Sequence, residues 1–226
     1  MSQSIRFLQR CARWHLSQYT KLEGPFAFTA YDVQGAPDRL ELIDCLAPAL
    51  LNAPIRGSSI IKMNRPGTPE AHLLDAMRGL LVDPACATAR FLDCDIDGPV
   101  LGRLAAVIAA AQTVHGIKAV KVSKILHRKR PELVPMIDSA LATFFTDSPV
   151  TGARTEAVQG FWQTLQVDLR ENIDWLTELS VDFTTPDQRT LSLLRTADII
   201  VWHHQHSRRP GNPPCPTLGL EKAAEP

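Results

Sequence analysis

Six cations crowd fifteen residues of this chain. Between Ile117 and Pro131 stand Lys118, Lys121, Lys124, Arg128, Lys129 and Arg130, with no acid among them. Such side chains at this density can neutralise phosphates along a nucleic-acid backbone. At about 100° per residue, Lys118, Lys121, Lys124 and Arg128 fall within about 120° of one another on a helix. Ile125 shares that arc, while Ala119, Val122 and Leu126 point elsewhere. The stretch reads either as a phosphate-binding face or as an ordinary solvated one. The turn before it, Val114 to Lys118 around Gly116, favours the first. A tight turn opening a helix presents backbone N–H groups and the helix dipole to an anion. Downstream, Asp138 opens a run ending near Phe145. Its carboxylate can cap that helix.

Other candidates carry less. His203, His204 and His206 cluster near the end of the last apolar segment, but no Cys, Asp or Glu stands one helical turn away to complete a metal site. Asp93, Asp95 and Asp97 imitate a calcium loop, yet its twelfth position holds Leu104, so an acidic loop capping the next helix is expected. Arg195 and Asp198 have the spacing of an internal ion pair. The five cysteines are widely spaced, without Cys-x-x-Cys, and read as free thiols in a reducing cytoplasm. There is no Gly-rich phosphate loop or Ser-centred nucleophile elbow. No cofactor or metal is expected.

The elements that must position these residues read as helices. Apolar spacing and breakers predict helices over about 4–18, 40–52, 69–81, 99–113, 118–128, 138–145, 155–169, 171–179 and 186–204. In the second, Ile43, Leu46, Leu50 and Leu51 are expected inward, with a kink at Pro48. Thr68 followed by Pro69 is a cap and first-turn pair. Residues 26–33 alternate enough for a short strand or extended arm, and 56–68 and 82–98 read as connections. The segment 1–206 is expected to form a single helical domain. Residues 207–226, with five prolines, are expected to form a disordered tail.

Composition agrees. Of 226 residues, 45% are apolar, 21% charged and only 6% aromatic, which suits helix packing. Formal net charge is zero, which argues against a general polyanion binder, but the six cations leave the rest of the chain at −6. No apolar run is long enough for a membrane span. The Arg-bearing N-terminus reads as an amphipathic helix rather than a targeting peptide.

Two resemblances add to this. The stretch Ser123–Asp138, SKILHRKRPELVPMID, and the stretch Leu191–Trp202, LSLLRTADIIVW, resemble the domain of unknown function 6308 family, across roughly 26–204. That family implies no established activity. More distantly, residues 114–145 resemble the helix-hairpin-helix of DNA glycosylases. Gly116 matches the first hairpin glycine and Asp138 the catalytic aspartate, at the same separation. Lys118 stands where the second glycine belongs. Val120 replaces the lysine of strand-cleaving members, and the iron–sulfur cluster of some members lacks its cysteines.

These readings converge on a mainly α, multi-helix globular domain containing a glycosylase-like helix-hairpin-helix. The expected function is DNA binding without assured catalysis, with duplex DNA as partner. The expected contacts are Gly116, Lys118, Lys121, Lys124, Arg128, Lys129 and Arg130. One alternative is a monofunctional base-excision glycosylase using Asp138. The other is a non-enzymatic protein-interaction domain, which acidic side chains covering the 118–130 face would favour.

Overall fold

The chain is mainly helical. A computed structural model describes residues 3–21, 28–33, 35–146 and 155–208. A 3₁₀ segment, Ile5–Cys11, runs into α1 (Ala12–Lys21), and α2 (Phe28–Tyr31) is a single turn. A 3₁₀ helix, Leu42–Leu51, precedes α3 (Gly57–Met63) and α4 (Pro69–Val82). Then come α5 (Pro84–Ala87), a 3₁₀ turn at Phe91–Asp93, α6 (Pro99–Ala110) and a 3₁₀ turn at Ala111–Thr113. The rest is α7 (Ala119–Lys129), α8 (Ser139–Thr146), α9 (Thr155–Glu171), α10 (Ile173–Asp182) and α11 (Leu193–Ser207). No strand occurs among the described residues; one antiparallel bridge joins Thr184 and Thr190.

α11 lies at the centre, packed by α1, α8 and α10. Its Ile199, Ile200 and Val201 are fully buried, a helix apolar on most sides as a core position demands. α8 also meets α9, α9 meets α6, and α6 meets α4 and α7. Trp162, Phe144, Phe145 and Phe161 fill the joint between α8 and α9. On the far side of α7 lie α2 and the 42–51 helix, α2 packing on that helix.

Local chemistry explains several boundaries. Thr68 accepts the Ala71 N–H at 3.1 Å, with Pro69 in the first turn of α4. Ser192 accepts the Arg195 N–H at 3.0 Å and starts α11. The expected helix over 186–204 therefore begins late. Residues 184–190 form a turn in which Gln188 has φ +63° and Thr185 Oγ1 accepts the Arg189 N–H at 3.0 Å. The aspartate loop does not cap α6 by side chain: Gly98 is the N-cap, and Asp95 Oδ1 accepts the Asp97 N–H instead. A Cβ at Gly98 would meet Asp95 Cβ and O at 3.1 Å, a tight approach that glycine avoids.

Three expectations are corrected. Residues 42–51 form a 3₁₀ helix, in which every third residue shares a ridge. Ile43 and Leu46 lie on an outer ridge, 63% and 47% exposed, while Cys45 and Pro48 are buried. Pro48 has no N–H to return to the carbonyl four residues back, which disfavours the α register. Asn52, at φ +55°, ends the run. Residues 28–31, expected as part of a strand or arm, form α2, and the connection at 56–68 contains α3. Residues 209–226, most of the expected tail, lie outside the described residues.

Candidate nucleic-acid interface

Val114 and Ile117, both buried, pin the two arms of the turn between α6 and α7. Gly116, exposed between them, has φ +75°, the left-handed region that glycine enters at little cost. No atom lies within 4 Å of where its Cβ would be. Lys118 holds the N-cap position of α7 without a side-chain cap. The Lys121 and Val122 N–H groups already return to Lys118 O, which leaves those of Ala119 and Val120 as the first-turn donors without an intrahelical acceptor. Lys118 Nζ donates to Gln112 O and Lys121 Nζ to Gly116 O, each at 2.6 Å. His115 and Lys118 are exposed and Lys121 is half-buried. Burial, then the neighbouring Arg56, lowers the pKa of Lys121.

The other four cations point into the molecule. Lys124, 5% exposed, reaches Asp138 Oδ2 at 3.3 Å and Leu51 O at 3.2 Å. Arg128 donates to Tyr31 O at 3.1 Å and Val33 O at 3.0 Å, and pairs with Asp44 Oδ1 at 3.3 Å. Lys129 Nζ, also buried, lies 2.8 Å from Asp44 Oδ2. Arg130 reaches Leu81 O at 2.9 Å and Ala87 O at 3.1 Å. Tyr31, Leu51, Leu81 and Ala87 stand at the C-terminal ends of α2, the 42–51 helix, α4 and α5. Helix ends carry carbonyls without intrahelical donors, and cations there satisfy them. The basic stretch is thus largely a set of C-terminal caps for four other elements. A helical wheel places these residues together but cannot show those carbonyls.

Asp138 is the cap of α8. Its Oδ1 accepts the Ala140 N–H at 2.9 Å, and its Oδ2 faces Lys124. The side chain is 17% exposed. Ser123 Oγ accepts the Ile137 N–H at 3.0 Å and donates to Val120 O at 3.0 Å, tying the 131–138 segment to α7.

Behind Asp138 lies a buried ionic cluster that spacing showed only in part. The expected Arg195–Asp198 pair is present. Arg195 also pairs with Asp32, donates to the Tyr19 hydroxyl, and stands 5.2 and 5.1 Å from the Tyr19 and Tyr31 ring centres. Tyr31 donates to Lys124 O at 2.5 Å. Burial pushes the Asp198 carboxyl up to about 6 against the pull of Arg195. Burial, aided by Arg195, pushes His127 down to about 3, so its ring is neutral and Nδ1–H donates to Val134 O at 2.6 Å. The cavity beside them measures about 20 Å³, room for one water. No local signal marks the long-range partners of Asp32, Asp44 and Tyr31, which lie 84 to 163 residues away.

The histidines divide. His15 and His203 share an Nδ1···Nδ1 contact of 2.9 Å in the core, with the His204 ring 5.6 Å from His15, while His206 stacks on Trp202. Among the described residues no group of three His, Cys, Asp or Glu could hold a metal ion. Cys45, Cys86 and Cys94 are free thiols. No described helix is long and apolar enough to cross a membrane.

No curated protein and no solved structure matches the chain. One family does, over residues 12–205, which span every helix from α1 to all but the last turn of α11. On that match the chain belongs to the family of unknown function DUF6308.

Proposed function

We propose that the protein holds duplex DNA by its backbone, without reading sequence, through the α6–α7 unit acting as a helix-hairpin-helix like that of DNA glycosylases. The observation that carries this reading is the hairpin itself. An exposed left-handed Gly116 leads into α7, whose first turn has no side-chain cap and no acid and is flanked by Lys118 and Lys121. Backbone N–H groups and two ammonium groups beside the exposed Gly116 suit a phosphate. Lys124, Arg128, Lys129 and Arg130 then serve to hold α7 in place. Catalysis is not part of this reading. Asp138 has one oxygen on a backbone N–H and the other on Lys124, which supports a structural carboxylate.

The test is fluorescence anisotropy of a labelled duplex across a salt series. Each phosphate contact contributes about −0.9 to the slope of log K against log salt. Lys118→Glu combined with Lys121→Glu should weaken binding and make the slope shallower by about 1.8. Charge reversal at Lys124 or Arg128 is a poor substitute, because both support the fold. A second reading, a protein-interaction domain, is favoured by the acidic cover that Asp44 and Asp138 place over Lys124, Arg128 and Lys129. A parent protein that binds no duplex at low salt would select it.

A further inference from the structure

A second acid-free segment lies beside the hairpin. Residues 52–69 contain Arg56, Lys62 and Arg65 and neither Asp nor Glu; residues 98–131 are acid-free as well. The chain has as many acids as bases, so two such segments are uneven patches in a balanced composition. Folding brings them together. A cavity of about 290 Å³ is lined by Gly67, Pro69, His72 and Leu73 on one side and by Ala110 and Thr113 on the other. Thr113 is three residues before Gly116, so the α3–α4 turn and the hairpin flank one depression.

The two turns match in form. Gly67 has φ +80° and Gly116 φ +75°, the two glycines of positive φ among the described residues. Each leads into a helix of eleven or more residues, α4 or α7. His72 lines the depression, and Arg56, Arg65, His115 and Lys118 are exposed on the two chain segments that supply its walls. Neither Arg56 nor Arg65 is ion-paired among the described residues, and Arg56 is close enough to Lys121 to disfavour its charge. The first acid of α4, Glu70, is buried and already faces Lys62 at 3.5 Å. Grouped cations without counter-charges raise the local potential and complement a polyanion that can span the group.

We infer that the α3–α4 turn is a second backbone contact, Arg56 and Arg65 engaging the same duplex DNA that the Gly116 hairpin engages, across the depression between them. This rests on the reading proposed above for the hairpin. It makes the interface bipartite and draws half of its charge from a segment that the spacing of residues marks only as a connection.

The experiment compares three proteins on one labelled duplex of about two helical turns, over a salt series: the parent, Lys118→Glu with Lys121→Glu, and Arg56→Glu with Arg65→Glu. Both arginines are exposed and cap nothing by side chain, so circular dichroism and Tm of the second variant should match the parent. The expected result is weaker binding by each variant, about tenfold or more at moderate salt, with a slope shallower by about 1.8 in each case. If the arginine variant matches the parent in affinity and slope while the lysine variant is weakened, the second contact is overturned and the hairpin reading stands. If the lysine variant matches the parent, the hairpin reading fails, and the bipartite interface with it. A parent without salt-dependent binding overturns both.

Discussion

Arg195 grips Asp32 at two points across 163 residues of sequence: Nε reaches Oδ1 at 2.6 Å and Nη2 reaches Oδ2 at 3.2 Å. The pair ties the short α2 turn to the central helix α11. Asp198 shares the same guanidinium, so one cation neutralises two buried carboxylates. Breaking a buried pair from one side costs about 3–5 kcal/mol, because the partner stays behind uncompensated. Arg195→Ala should therefore lose roughly that much in urea denaturation, and Asp32→Asn distinctly less. An Arg195→Ala protein within about 1 kcal/mol of the parent would show that the cluster is not what holds α2.

Asp44 offers a sharper contrast. Its carboxylate lies between Arg128 and Lys129, at 3.3 and 2.8 Å. Asp44→Ala should destabilise the protein by about 3 kcal/mol, since Lys129 is then a buried, unpaired cation. It should leave the salt slope of duplex binding unchanged. A variant that instead bound duplex more steeply would return Arg128 and Lys129 to the interface.

The acid response should follow His127. Its folded pKa of about 3 lies below the ordinary 6.5, so unfolding takes up a proton at any pH between these values. Its contribution is complete above 6.5 and is lost as pH falls towards 3, by at most about 1.4 kcal/mol per pH unit. Asp198 has the opposite sign. With a folded pKa of about 6 against 3.8, its contribution is complete below 3.8 and is lost as pH rises through 6. His127→Gln should flatten the acid limb of Tm against pH, and Asp198→Asn should remove a decline between about pH 4 and 6. An unchanged acid limb in His127→Gln would contradict a neutral buried imidazole.

Gly116→Ala and Gly67→Ala test the turns themselves. Neither position has an atom within 4 Å of the added Cβ, so only the positive φ resists the substitution. A cost of about 1–2 kcal/mol in chemical denaturation is expected for each. Alanine tolerated at no cost would mean that the turn relaxes to another geometry.

The features legible in the sequence are those whose partners lie within one helical turn. Thr68 with Pro69, Gly116, the cap at Asp138 and the Arg195–Asp198 spacing all belong to this class. The contacts that give these residues their setting are long-range. Nothing near Lys129 announces Asp44, and nothing near Arg195 announces Asp32 or Tyr19. α3 was hidden for a related reason: Gly57, Ser58 and Ser59 are weak helix formers, and packing against α4 supplies what propensity lacks. Residues 42–51 carried a readable apolar pattern, but the 3₁₀ period turned its outer ridge to solvent. The six cations were visible as a group, while their destination depended on where four other helices end.

That destination bears on how fast a ligand could be captured. With α7 anchored at its middle and far end by carbonyls of separate elements, its leading turn cannot swing without releasing them. A molecule arriving at Gly116 meets a surface already in its final shape, so little ordering entropy is lost on docking. If the hairpin binds duplex DNA as proposed, its association rate should fall steeply with ionic strength, with little dependence on slow rearrangement of α7.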